Sequence, residues 1–206
     1  MSVFYKAAYR VGFHPWEDLA EHKPFASALV ELFQREEQGK EPPYGKALDL
    51  GCGSATWGVR LAARGWQVTG VDNVPAALAR AQERIRETSV NMRAVLGDVT
   101  RRLETAVGSG YDLILDTGTF HGLTPAQRLD MGREITSSVA SRDATVVLDC
   151  FSPRRRGPLP RGCTQADVEA AFPTWRITDV IDANTDPDPI ARLFKFDEVF
   201  YRLRRR

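Results

Sequence analysis

A doubly wound α/β sheet is the fold this sequence predicts, and three features of the chain predict it. From Lys46 to Phe151 short apolar runs alternate with segments of helical periodicity, the pattern of parallel strands joined by right-handed crossover helices. Two of the runs, LILD and VVLD, are apolar almost without a break, as strands covered on both faces are. The first run ends on Gly51 and Gly53, a turn short enough to pass directly from strand to helix.

Each element follows from its own signals. KALDLGCG reads as a strand closed by the glycine turn, and TWGVRLAARG as a helix that stops at Gly65. WQVTGVDN is a second strand. VPAALARAQERIRETS places Pro75 in a first helical turn and repeats Leu78, Ala81 and Ile85 at helical spacing. NMRAVLGD and YDLILDTG are the third and fourth strands. TPAQRLDMGREITSSV is a helix with Thr124 as N-cap and Pro125 at its first position, and ATVVLDCF is the fifth strand. After Pro153 a Pro-, Gly- and Arg-rich loop leads to TQADVEAAF, a helix capped by Thr164. WRITDVIDA and LFKFDEVFYRL close the chain as strands, the second alternating apolar and polar residues as an antiparallel strand does. The expected whole is a mostly parallel seven-stranded sheet over residues 45–206, with residues 1–44 as a short N-terminal helical cap, too short for a core of its own.

Composition narrows the function classes. The 206 residues carry 28 basic and 27 acidic side chains, a balance that argues against a reader of phosphate backbones, so no nucleic-acid partner is expected. No run of apolar residues is long enough to cross a membrane, and the N-terminus lacks the apolar core of a secretion signal. The three cysteines, Cys52, Cys150 and Cys163, lack the spacing of a zinc site or a disulfide framework. A cytoplasmic protein without a metal is the expectation, with Cys150 an ordinary buried residue. Its oligomeric state is open.

The sequence places a ligand site beyond the carboxyl ends of the strands. Gly51 and Gly53 let backbone approach a ligand, and the helix that follows turns free N–H groups toward the same space. Asp72 closes the second strand, where a carboxylate can accept both hydrogen bonds of a ribose diol. This arrangement fits NAD or an adenosyl cofactor. A dinucleotide fingerprint requires a third glycine where this chain has Thr56.

ALDLGCGSA resembles the first motif of the class I methyltransferases that use S-adenosylmethionine, with Ala55 at the position of the family's last glycine. VTGVDN resembles their second-strand motif, VLGDV their adenine-contacting motif, and YDLILDTGTFH falls where the family's fourth strand meets the transferred methyl. The resemblance covers Lys46 to Pro153. It implies S-adenosyl-L-methionine as cofactor, with Asp49, Gly51, Cys52 and Gly53 around its amino-acid end and Asp72 on the ribose. Asp98 and Val99 would contact the adenine, Asn73 would pack beside it, and Asp116 would orient the cofactor amine.

The N-terminal GFHPWED is similar to the Pro-Trp-Asp/Glu segment of the small-molecule thiol, thiopurine and halide methyltransferases. That likeness implies aromatic residues over the acceptor, with Tyr5, Tyr9 and Trp16 from the cap and Phe120 from the fourth-strand segment as candidates. The same aromatics could equally serve to fasten a helix to the sheet. The fourth-strand segment DTGTFHG lacks the Asn/Asp-Pro-Pro-aromatic stretch of amino-methylating nucleic-acid enzymes, and the N-terminal likeness implies a small aromatic or thiol-bearing molecule accepting on O, S or N. A neutral hydroxyl or ring N–H needs a base, a thiolate does not. His121, His14 and Asp116 are the candidates for that base. The competing readings are an NAD-dependent oxidoreductase on a similar sheet and a cofactor-binding protein of this fold without turnover.

Overall fold

The computed structural model describes residues 23–153, 162–183 and 198–206. The strands β1 (Lys46–Leu50), β2 (Gln67–Asp72), β3 (Met92–Leu96), β4 (Tyr111–Asp116), β5 (Ala140–Phe151), β6 (Trp175–Asp182) and β7 (Glu198–Arg205) form one sheet. Their order is β3-β2-β1-β4-β5-β7-β6, parallel except for β7, which runs antiparallel to both β5 and β6. The expected seven-stranded, mostly parallel sheet is therefore what the chain forms. Strand order reverses between β1 and β4, and this switch point opens a crevice at their carboxyl ends.

Side-chain alternation sorts the strand residues into two cores. On one face Leu48, Leu50, Ile114, Val146 and Leu148 pack with Phe120, Phe172 and Trp175. On the other, Ala47, Val68, Leu113, Leu115 and Val147 pack with Leu29, Phe33, Trp57 and Trp66. The helices α1 (Lys23–Glu37), α2 (Thr56–Ala63), α3 (Pro75–Thr88), α4 (Leu103–Val107), α5 (Pro125–Glu134) and α6 (Gln165–Ala171) cover these faces. Thr124 and Thr164 cap α5 and α6 as expected, each through a capping box whose other half is Gln127 or Asp167.

Three elements differ from the sequence expectation. The α5 pattern continues to Val139, yet the α-helix stops at Glu134 and Ile135–Val139 form one wider π turn. Strand β5 starts at Ala140, because Ser141, Arg142 and Asp143 interrupt the apolar run without interrupting the backbone. Five-residue α4 is too short for periodicity to announce it. Residues 193–197, expected at the start of the last strand, lie outside the described residues, as do the first helix of the cap and the basic loop at 154–161.

Two glutamates at the end of α1 hold that helix to the sheet. Glu36, buried, accepts from Arg202 Nε at 2.6 Å and from the Thr145 hydroxyl at 2.7 Å. Glu37 accepts from the Trp66 indole N–H at 3.1 Å and pairs with Arg64. A carboxylate this buried is tolerable because cations and donors satisfy it. Among the described residues no helix is long and apolar enough to cross a membrane.

Candidate active site

The crevice at the switch point is lined by Gly51, Asp72, Asn73, Asp98, Val99 and Thr119, with Gly97, Thr100, Leu123 and Gln127 completing it. Its floor is the glycine turn. Gly51 has φ +66°, and a Cβ there would lie 1.8 Å from the Thr119 hydroxyl oxygen, which itself donates to the Leu50 carbonyl at 3.2 Å. No residue with a side chain can occupy that point while the β4 loop stays closed over it. Ala55 is the N-cap of α2 in the left-handed region at φ +64°. The methyl group costs about 1 kcal/mol in this conformation, the physical reason a glycine is favoured there.

Asp72 closes the turn from β2. Its Oδ2 accepts from Gly53 N at 3.0 Å and its Oδ1 from Val74 N at 2.8 Å. Burial raises its pKa above the ordinary carboxylate value against the pull of these N–H groups. Asp49 is buried under the same turn, and its Oδ1 has no hydrogen-bond partner. Burial, then the charges of Asp116 and Asp72, push its pKa up to about 7, while the Gly58 N–H opposes them. An orphaned carboxylate oxygen in such a place is a ready acceptor for a cationic donor. Asn73 also carries a buried side-chain oxygen without a partner.

On the β3 side, the Asp98 carboxylate accepts from Thr100 N at 2.9 Å, from the Thr100 hydroxyl at 2.6 Å and from Arg101 Nε at 3.1 Å. Partial burial raises its pKa, but the Thr100 bonds and the Arg101 guanidinium outweigh this and hold it below the usual range. Cys52 packs its sulfur toward Gly70, where an added Cβ would lie 2.8 Å from it. Burial pushes the Cys52 thiol up, so it is an apolar wall here and no nucleophile.

The fourth-strand segment is organised by its own carboxylate. Asp116, fully buried, accepts from Gly118 N at 2.9 Å and Thr119 N at 2.7 Å through Oδ1, and from Phe120 N at 2.9 Å through Oδ2. Burial nevertheless raises its pKa to about 6. These three bonds wind residues 117–122 into a tight turn that carries His121. The His121 ring stacks on Phe151 at 4.3 Å, and its Nδ1 accepts from Phe151 N at 3.2 Å. A neutral imidazole that accepts at Nδ1 carries its proton on Nε2, and the Phe151 N–H fixes the ring in this orientation.

The ring of Phe120, expected at the acceptor, is fully buried beside Phe172 and under the Arg128 guanidinium, 5.4 Å from its centroid. Phe120 thus anchors the turn from the core side. Tyr5, Tyr9, His14 and Trp16 lie outside the described residues.

Two arginines that the sequence did not single out hold the site together. Buried Arg128 donates to the carbonyls of Phe120 at 3.2 Å, His121 at 3.1 Å and Gly162 at 2.8 Å, and pairs with Asp167 at 3.2 Å. Arg84 of α3 donates to the carbonyl and hydroxyl of Ser54 at 3.0 and 2.9 Å and to the Thr56 hydroxyl. Neither arginine has a sequence signal: Arg84 reaches Ser54 from 30 positions away, and Arg128 bridges His121 and Phe120, seven and eight positions back, to Gly162, 34 positions on. Gln127 and Thr119 did have one: the Thr-x-x-Gln capping box marks the first, and the second sits within DTGTF beside the expected methyl position. The structure also brings Cys150 and Cys163, 13 positions apart, together as buried free thiols.

Residues 47–141 match the family model described as a methyltransferase domain. This range excludes the Pro15-Trp16-Glu17 segment, so the thiol and halide likeness of the N-terminus gains no support from it. The 2-heptyl-1-hydroxyquinolin-4(1H)-one methyltransferase of Mycobacteroides abscessus is 29% identical over 175 residues, covering 81% of this chain and 74% of that protein. The ribosomal RNA small subunit methyltransferase C of Alcanivorax borkumensis is 29% identical over 96 residues, 47% of this chain, and the match spans 27% of that protein. Among solved structures, the 1,6-didemethyltoxoflavin-N1-methyltransferase of Burkholderia thailandensis, with 1,6-didemethyltoxoflavin and S-adenosylhomocysteine bound, superimposes with a TM-score of 0.73. It is 20% identical, covers 98% of this chain and 85% of its own, and shows a shared fold.

Proposed function

We propose that this chain is a class I S-adenosylmethionine-dependent methyltransferase, residues 47–141 of which match a methyltransferase-domain model, and that it transfers the methyl group to an oxygen or nitrogen of a small heteroaromatic molecule. The observation that carries the reading is the buried Asp49 oxygen without a partner beside the glycine turn. It suits the α-ammonium of the cofactor's methionine end. The pyrophosphate of NAD at this turn would face that carboxylate instead, which weighs against the oxidoreductase reading.

Bound in the crevice, S-adenosylmethionine supplies an electrophilic methyl on a sulfonium. Asp72, which keeps acceptor capacity beyond the backbone N–H groups of Gly53, Val74 and Asn73, is suited to the ribose hydroxyls. Asp98, Val99 and Asn73 line the side suited to the adenine. Asp116 holds the 117–122 turn in shape, and with it the position of the His121 ring against Phe151. Alignment of acceptor and methyl, with water kept out by the buried turn, is the main catalytic requirement of an in-line displacement.

The acceptor class is supported by the hydroxyquinolone substrate in the name of the Mycobacteroides relative and the ring-nitrogen substrate of the Burkholderia protein. The test is S-adenosylhomocysteine formation across a panel of hydroxyquinolines, N-hydroxyquinolones, phenols, ring N–H heterocycles and thiols. Turnover is expected with the heteroaromatic hydroxyl or N–H compounds. Turnover with thiols alone sinks the acceptor assignment, and cofactor binding without turnover on any compound favours a binding protein.

A pH effect on cofactor affinity follows from Asp49. With a pKa near 7, its carboxyl is mostly protonated at pH 6, and an ammonium docking on it selects the ionised form and releases the proton. Affinity for S-adenosylhomocysteine is expected to rise about tenfold from pH 6 to pH 8. Calorimetry in two buffers of different ionisation enthalpy would register the released proton at pH 6; affinity that falls with pH, or no proton release, removes Asp49 from the ammonium site.

A further inference from the structure

Asp149 stands at the carboxyl end of β5 and belongs to none of the contacts described so far. Its side chain is 2% exposed, and its Oδ1 has no hydrogen-bond partner. Register places it beside the end of β4 and the 117–122 turn. Asp116 pairs with Leu148, one residue inward, and Phe151, two residues outward, carries the His121 ring. Alternation along a strand puts Asp149 and Phe151 on the same face of β5, with Asp149 the next side chain inward of the His121–Phe151 stack.

The other candidate proton acceptors beside it are occupied. His121 already accepts at Nδ1 and so bears its proton on Nε2. Asp116 Oδ1 accepts two and Oδ2 one of the backbone N–H groups that shape the turn, so protonation there would act against the bonds that hold it. A neutral hydroxyl or ring N–H attacking a methyl group must lose its proton to something, and Asp149 offers the buried oxygen that lacks a donor.

We propose that Asp149 is the proton acceptor for the methylated molecule, and that it fits this site to acceptors bearing a hydroxyl or ring N–H. The inference rests on the methyltransferase reading above. For a hydroxyl, the acceptor oxygen forms its bond to the methyl carbon and the carbon–sulfur bond breaks with its electron pair left on sulfur. The hydroxyl proton passes to Asp149 Oδ1 and leaves to water after product release.

Several charged and titratable groups face Asp149: Glu198 from β7, Asp116 from the end of β4, and the Cys163 thiol, with the Cys150 N–H as donor. Burial first, then Glu198 and Asp116, raise its proton affinity, the direction that makes a carboxylate a stronger base. A cationic cofactor in the neighbouring crevice acts the other way and favours the ionised form before transfer.

The experiment is Asp149→Asn, which keeps the size of the side chain and removes its basicity. Expected is a fall in kcat with a hydroxyquinoline acceptor at least about a hundredfold greater than with a thiol ionised at the assay pH. The acidic limb of the pH profile should flatten, and S-adenosylhomocysteine affinity should stay within about threefold. Independently of turnover, calorimetry with S-adenosylhomocysteine present should show the variant binding the hydroxyl compound about tenfold more weakly, with affinity for its O-methylated form unaltered. Equal losses with both acceptors, or no loss, overturn the proposal alone. A wild-type protein that binds S-adenosylhomocysteine yet neither binds nor methylates any acceptor overturns the functional reading with it.

Discussion

Asp72→Ala is expected to weaken S-adenosylhomocysteine binding by about 3 kcal/mol, roughly a hundredfold or more. The size follows from what the carboxylate does twice over. Its oxygens accept backbone N–H groups, Oδ2 from Gly53 and Oδ1 from Val74, with Asn73 adding a third, and so hold the glycine turn against the start of α3. The remaining lone pairs are those suited to a ribose diol. Hydrogen bonds to a charged group are worth about 1.5 to 3 kcal/mol each, and removal also leaves the Gly53 N–H in a part-buried turn without its acceptor. Asp72→Asn separates the two roles, because one amide oxygen can still accept from the backbone while the charge is gone. An intermediate loss is expected for it. Unchanged affinity of the alanine variant in calorimetry would take Asp72 out of the cofactor site.

Gly132→Ala is expected to destabilise the fold by about 3 kcal/mol, a drop in Tm of about 10 °C for a domain of this size. Gly132 sits where α5 touches α6, and a Cβ there would lie 2.0 Å from the Ala171 carbonyl oxygen and 2.8 Å from its carbon. Both atoms are backbone, so no rotamer change relieves the overlap and the two helices must separate. Alanine gains up to about 1 kcal/mol of helix propensity over glycine, which works against the loss without cancelling it. The same movement would carry Arg128, four residues earlier on α5, away from the carbonyls of Phe120, His121 and Gly162. Thermal unfolding followed by circular dichroism reads the effect. A Tm equal to or above wild type would show that the helices yield freely at this contact.

The elements of the sheet were legible in the chain because their signals are local. Continuous apolar runs marked LILD and VVLD as covered strands, Pro75 and Pro125 stood at helix starts, and Thr124 and Thr164 capped helices through residues three positions away. The shared end of the strands was legible for the same reason, since parallel order brings Asp49, Asp72 and Asp116 to one side without further information. Short α4 and the polar opening of β5 escaped because five residues, or three polar ones, carry no period to read.

The sequence by itself determined the sheet, the glycine turn and the row of carboxylates at its mouth, since periodicity, turns and caps act within a few residues. Only the tertiary structure decided the state of each group there. It tied His121 Nδ1 to the Phe151 N–H 30 residues away, buried Phe120 in the core, and set Arg84 and Arg128 as braces. It also left one oxygen of Asp49 and one of Asp149 without a partner. Proton affinity, tautomer and the availability of a lone pair depend on burial and on neighbours from other strands. These are long-range quantities that no local pattern of residues encodes.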